Sequence, residues 1–233
     1  QAAVKGAFRP PGQFDSESLN TMAGDDSFLC SPTTAITNYM MGCIGLYLGW
    51  QTLQIQDSLF HLLWACSFFS LSLGALLGGS YYGFGPRLPN FITKVIWRLT
   101  LIFIGITGLF LAGSAATFYI NETGKFGLMI GSAILIIKYV LGLNKDDTFH
   151  YAIKFYVPLM ILALIGFIPA FFSLGYTGAL PIVIGLLVNL SAAGVQASGL
   201  TLHKHFNHND LFQGIQILGM ILMYRGGLEI STV

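Results

Sequence analysis

Apolar residues along this chain run in long blocks separated by short polar breaks, a pattern that fits neither the strict alternation of a half-buried strand nor the narrow stripe of a surface helix. From residue 31 the blocks cover about residues 31–52, 58–82, 91–118, 126–143, 152–174, 178–202 and 210–228. About 20 predominantly apolar residues suffice for a helix to cross a bilayer core of about 30 Å, so each block predicts one span. The fold expected is therefore all-α: a polytopic membrane protein built as a bundle of seven transmembrane helices. The breaks fall at Gly85-Pro86, Pro89-Asn90, Asn121 to Gly124, Asn144 to Asp147 and Gly175 to Gly178. They are short, which predicts that consecutive helices pack side by side.

Residues 1–30 hold Pro, Gly, Ser and acids without an apolar period and read as a polar tail, and residues 229–233 form a short tail at the other end. The chain starts at Gln1 rather than Met, as expected after removal of a targeting segment or within a longer chain. The first block opens on Ser31-Pro32, a good helix start, and its Gly42, Gly45 and Gly49 give a thin face for close packing. Tyr47 and Trp50 stand where interface anchors belong. Gly127 and Gly131 form a small-xxx-small pair in the fourth block. The sixth and seventh blocks carry Asn189, Gln196, Gln213 and Gln216, whose polar faces should point into the bundle.

Composition sharpens this picture. Apolar classes make up 54% of 233 residues and charged residues 9%, with a mean hydropathy of +0.70, so lipid rather than water is the main solvent. The net charge of +1 gives no basic field for nucleic acid, and no nucleic-acid partner is expected. The expected partners are membrane lipids and other membrane subunits. Cys30, Cys43 and Cys66 lack paired spacing and indicate no disulfide framework.

Positive charge sets the expected orientation. Lys5, Arg9, Arg87, Lys94, Arg98, Lys145, Lys154 and Lys204 fall on one side, against Lys125 and Arg225 on the other. This predicts the amino terminus on the cytoplasmic or equivalent side and the carboxyl terminus across the membrane. The sequon Asn121-Glu122-Thr123 then lies on the far side, where Asn121 is a candidate for glycosylation.

The densest polar cluster is TLHKHFNHNDLF, residues 201–212, between the last two spans. Its His203, His205 and His208 are the candidate metal ligands and Asp210 the candidate catalytic carboxylate, because imidazole and carboxylate suit zinc. A wet loop at the headgroup level accounts for the same residues. His61, at the opposite end of the second span, reads as an interface residue too far away to join them. Arg98 and Lys94 begin the third span at the cluster's level, where they snorkel to headgroups or pair with Asp210.

Seven spans, a glycine-rich end of the second and a His/Asp-rich start of the seventh resemble the superfamily of seven-helix membrane hydrolases that includes alkaline ceramidases and the progestin and adipoQ receptors. The resemblance covers about residues 31–228, and the stretches GGSYYGFG, FNHNDLFQ and MYRGG are similar to a mainly bacterial branch of small membrane proteins within or near that group. It implies a zinc site made by one histidine of span two and two of span seven, with a serine and an aspartate nearby; the third span offers Arg98 and Thr100 but no aspartate. In this sequence Tyr82 stands at the span-two ligand position, Gln213 at a span-seven one and Gly78 at the serine. Tyrosine and glutamine are poor zinc ligands, so no cofactor is expected, and zinc is the metal a rebuilt site would take.

The function expected from these readings is a non-catalytic structural or accessory subunit of a membrane complex. The alternatives are a zinc-dependent, ceramidase-like hydrolase of lipid amides and a receptor or transporter that uses the polar face of spans six and seven.

Overall fold

The computed structural model describes residues 29–55, 58–198 and 208–230, with backbone alone at Ala197 and His208. Among them every regular element is helical: α1 (Pro32–Leu53), α2 (Leu59–Phe84), α3 (Asn90–Ala116), α4 (Glu122–Gly142), α5 (Phe149–Phe172), α6 (Ala179–Ser198) and α7 (His208–Glu229), with one 3₁₀ turn, Gly85–Arg87, after α2. Local chemistry sets the starts. Pro32 opens α1, where its missing N–H costs nothing. The Asn121 side chain accepts the Gly124 N–H at 2.9 Å and the Thr148 hydroxyl accepts that of Tyr151 at 3.3 Å, so α4 and α5 begin four and three residues earlier than hydropathy alone predicts. Gly175, at φ +77°, makes the left-handed turn that leads out of α5.

Six helices form a closed ring in the order α1, α2, α3, α5, α6, α7 and back to α1, and α4 lies outside it. This corrects the expectation that all consecutive helices pack side by side, since α3 pairs with α5 across α4. Small residues decide the choice. A Cβ at Gly108 would lie 3.0 Å from Leu159, and one at Gly166 would lie 2.9 Å from Ala115, so α3 and α5 approach almost backbone to backbone. Around Gly127 and Gly131 of α4 there is open space instead. On the other side of the ring, Gly178 faces Gly226 and Gly185 faces Gly219, which closes α6 on α7. Gly42 and Gly45 seat α1 against Leu76 and Ser72 of α2.

The half of the ring near the end of α1 and the start of α2 is filled by rings and thioethers, with Phe60, Trp64, Phe68, Phe167, Met160 and Met220 fully or almost fully buried. His61 belongs to this packing. It is buried, with Nε2 3.2 Å from the Gly227 carbonyl and Nδ1 3.1 Å from the Ser58 hydroxyl, which corrects its reading as an interface residue. A ring nitrogen satisfied by α7 ties the two helix ends together.

The outer surface is apolar: Met40, Tyr47, Trp50, Phe126, Ile137, Leu162, Phe172 and Leu218 are all more than half exposed. Five helices, α2 through α6, are long and apolar enough to cross a membrane. A helix bundle with such spans and an apolar exterior is a multi-pass membrane protein. α1 and α7 have 22 residues each, about 33 Å at 1.5 Å per residue, but are less apolar because they carry buried Thr34, Asn38, Asp210, Gln213 and Gln216.

Candidate functional site

Those polar residues meet at one end of the ring, where α1, α3, α5 and α7 begin and α2 and α6 end. There the helices enclose a cavity of about 90 Å³. Its floor and sides are Met41, Leu71, Ala75 and Ile104; its rings are Tyr82, Trp97, Phe149, Tyr156 and Phe212; its polar groups include Asn38, Thr100, Gln196, Gln213 and Gln216. By the criterion of about 10–15 Å³ per water, the space accommodates several waters or a small organic molecule.

A hydrogen-bond network holds the polar wall. The Thr34 hydroxyl donates to Asp210 Oδ1 at 3.0 Å, joining α1 to α7 through a carboxylate that is only 1% exposed. Asn38 donates its amide to the Thr34 carbonyl at 2.8 Å, and Gln196 donates to Asn209 Oδ1 at 2.7 Å. Thr37 bonds Gln213 and also reaches the Thr33 and Thr34 carbonyls. The Thr37 hydroxyl donates to Gln213 Oε1, a second bond between α1 and α7. Asn189 bridges α6 and α7 by donating to Met223 Sδ at 3.2 Å, while its oxygen packs on Gly219, where a Cβ would stand 2.1 Å away.

Of the five carboxamides of α6 and α7, Asn189, Gln196, Gln213 and Gln216 are buried and Asn209 is half-buried, and all five line this cavity. Gly78 and Tyr82 of α2 line it too, together with Gln213, so the three substituted positions converge on one space. Asp210 lies beside it, held by Thr34. His203 and His205 lie outside the described residues, and for His208 only the backbone at the start of α7 is described. Among the described residues no group of three His, Cys, Asp or Glu side chains is placed to hold a metal ion. Carboxamides and rings, which make up the polar wall, are a poor donor set for zinc.

Arg98 does not pair with Asp210, as the sequence reading allowed. Its Nε lies 3.4 Å from Asp147 Oδ2, and the neighbouring Trp97 donates Nε1 to the Asp147 carbonyl at 2.7 Å. Both bonds fasten the α4–α5 connection over the cavity's α3 wall. In that connection the Thr148 hydroxyl and N–H, at 2.6 and 3.1 Å, hold the Asp146 carboxyl below its ordinary pKa. Thr34, Thr37 and Asn38 of α1 are the site residues that the sequence reading missed. The available signal was four polar residues, Thr33, Thr34, Thr37 and Asn38, within two helical turns at the start of the span, with Thr34 and Asn38 on one face.

Fold and site together define a class: a multi-pass helical membrane protein whose helices close around a small, largely apolar cavity with one polar wall. Within that class the chain belongs to the DUF6962 family, described as a family of unknown function, whose profile matches residues 33–232 and so spans all seven helices. No curated protein and no solved structure matches it.

Proposed function

We propose that this chain is a seven-span membrane protein that binds a small polar molecule in the cavity at the tail side of the bundle, as a receptor or carrier. The observation that carries the reading is convergence: six helices contribute side chains to one enclosed space, and its buried polar groups come from α1, α3, α6 and α7. Polar groups are costly inside a bilayer, so their concentration on one wall of the bundle favours a path or a binding site there. That α1 and α7 also cross the membrane is supported by their length, by their places in the ring between α2 and α6, and by exposed Ile36, Met40, Leu218 and Ile221 on their outer faces. The resemblance to seven-helix hydrolases agrees with the position of the cavity, since Gly78, Tyr82 and Gln213 stand on its wall. Their side chains favour binding over zinc chemistry.

Thermal unfolding of the detergent-purified protein against a panel of small solutes tests the reading. A true ligand raises the midpoint for the native chain and not for Ala193→Leu, which fills the cavity. A panel in which every stabilising solute still acts on the filled variant would overturn it.

The accessory-subunit reading has an observation of its own. α4 buries little beyond Tyr139 in this chain, and Gly127 and Gly131 present a thin face with nothing within 4 Å. Such a face suits a neighbouring helix, and the two roles are compatible.

A further inference from the structure

We infer that the cavity's ligand is a small organic ammonium ion of the primary alkylammonium type, a conclusion that rests on the cavity being the binding site proposed above. The argument starts from which hydrogen-bonding atoms the wall has left to offer. Trp97 and Thr100 spend their N–H and O–H on the Asp147 and Ile96 carbonyls, at 2.7 and 3.0 Å. Asn38 and Gln196 spend amide hydrogens on the Thr34 carbonyl and on Asn209. Among the described residues, the polar atoms of the wall that are buried without a partner are all oxygens. Gln196 Oε1 and Gln216 Oε1 are buried without a partner among the described residues, on side chains 7% and 5% exposed. The Asn38 oxygen lies 3.3 Å from where a Gly78 Cβ would sit, at the cavity's edge. Asn189 Oδ1 is unpartnered as well, but it is pressed against Gly219 and belongs to the α6–α7 contact.

Acceptor oxygens on three different helices, α1, α6 and α7, match a group with three N–H donors, which a primary ammonium has and an alcohol lacks. The remainder of the lining agrees in sign. Tyr82, Trp97, Tyr156 and Phe212 supply aromatic rings, whose faces attract a cation, and among the described residues no Lys or Arg lines the space to hold an anion. Size sets the limit. At about 90 Å³ the cavity is smaller than the roughly 150 Å³ cavity known to admit benzene, so a methyl- or ethylammonium ion fits and a lipid headgroup with its glycerol does not.

The experiment titrates the purified full chain in lipid nanodiscs with methylammonium chloride, with ethanol as a neutral probe of similar size and sodium chloride as the ionic control. Calorimetry and tryptophan fluorescence are the readouts. The expected result is saturable methylammonium binding that sodium does not reproduce, lost in Ala193→Leu, weakened at least tenfold in Gln196→Leu and strengthened in Gln216→Glu. Because either Gln variant could disturb folding, the comparison of probes on the native chain decides by itself. Ethanol binding that Ala193→Leu abolishes, with methylammonium silent, would overturn the ammonium assignment and leave the ligand cavity standing. Absence of cavity-dependent binding by either probe, with no stabilising solute in the thermal panel, would overturn both.

Discussion

Thr34 and Asp210 are 176 positions apart in the chain and 3.0 Å apart in the fold, and their bond joins the two ends of the helix ring. Removing the donor leaves a buried carboxylate short of one hydrogen bond, so Thr34→Val should cost about 1–3 kcal/mol, measurable as a lower thermal midpoint. Glycines on α7 divide by what surrounds them. A Cβ at Gly219 would stand 2.1 Å from Asn189 Oδ1 and 2.9 Å from the Gly185 carbonyl, whereas at Gly214 it would meet nothing within 4 Å. Gly219→Ala should therefore destabilise by about 1–3 kcal/mol through overpacking. Gly214→Ala should be neutral or stabilise by up to about 1 kcal/mol, as expected for a helix interior. Both are read from the same unfolding curves. Asp146 ties stability to pH. Its carboxyl is held below its ordinary value by the Thr148 hydrogen bonds, so its contribution is present above about pH 4 and is lost as the pH falls through the folded value. Amide protection at the start of α5, taken relative to the intrinsic exchange rate at each pH, should fall on that acid side, and Asp146→Asn should remove this component of the pH dependence.

At the scale of elements, α4 is the outlier. Its anchor is Tyr139, whose hydroxyl donates to the Leu101 carbonyl at 2.8 Å and whose ring stacks on Phe155 at a centroid distance of 4.3 Å. Gly105 lies directly against that ring, and a Cβ there would come within 2.5 Å of it. Towards its start α4 stands off the ring, with apolar grooves of about 610 and 350 Å³ on its two sides. Tyr139→Ala should release the helix at a cost of about 3–5 kcal/mol, seen as faster amide exchange across residues 122–142 with the ring helices little changed. Gly127 and Gly131 could be recognised in the sequence as a close-packing pair, but which helix they face is a property of the assembled ring. Replacing both with Ile should leave the isolated chain within about 0.5 kcal/mol of its native stability, since both sites are open. If α4 is a subunit interface, the same change should dissociate co-purifying partners.

At the scale of the whole molecule, the proposed seven spans place the helix connections alternately on two sides. Single cysteines at Gln54 and Asn121 should react with an impermeant thiol reagent from one face, and those at Pro89 and Lys145 from the other, in a background lacking Cys30, Cys43 and Cys66. The excess of Lys and Arg around the tail and the connections on its side predicts that Pro89 and Lys145 are cytoplasmic. Labelling of all four from one face would contradict the seven-span arrangement.

The helical segments and their apolar character could be read from the chain because bilayer thickness and backbone hydrogen bonding impose a length and a composition that leave a direct mark on sequence. The inward direction of Gln196, Gln213 and Gln216 was equally plain, since an amide turned toward lipid from an apolar run would have no hydrogen-bond partner. Tertiary structure alone decided that α3 skips α4 to pack on α5, that His61 is buried against α7, and that Thr34, Asn38 and Trp97 from two helices share a site with those glutamines. Each of these depends on which helix faces which. That pairing is set by matching small residues against bulky or backbone surfaces across distant segments, as at Gly108 with Leu159 and Gly166 with Ala115, and periodicity within one segment carries no record of its partner.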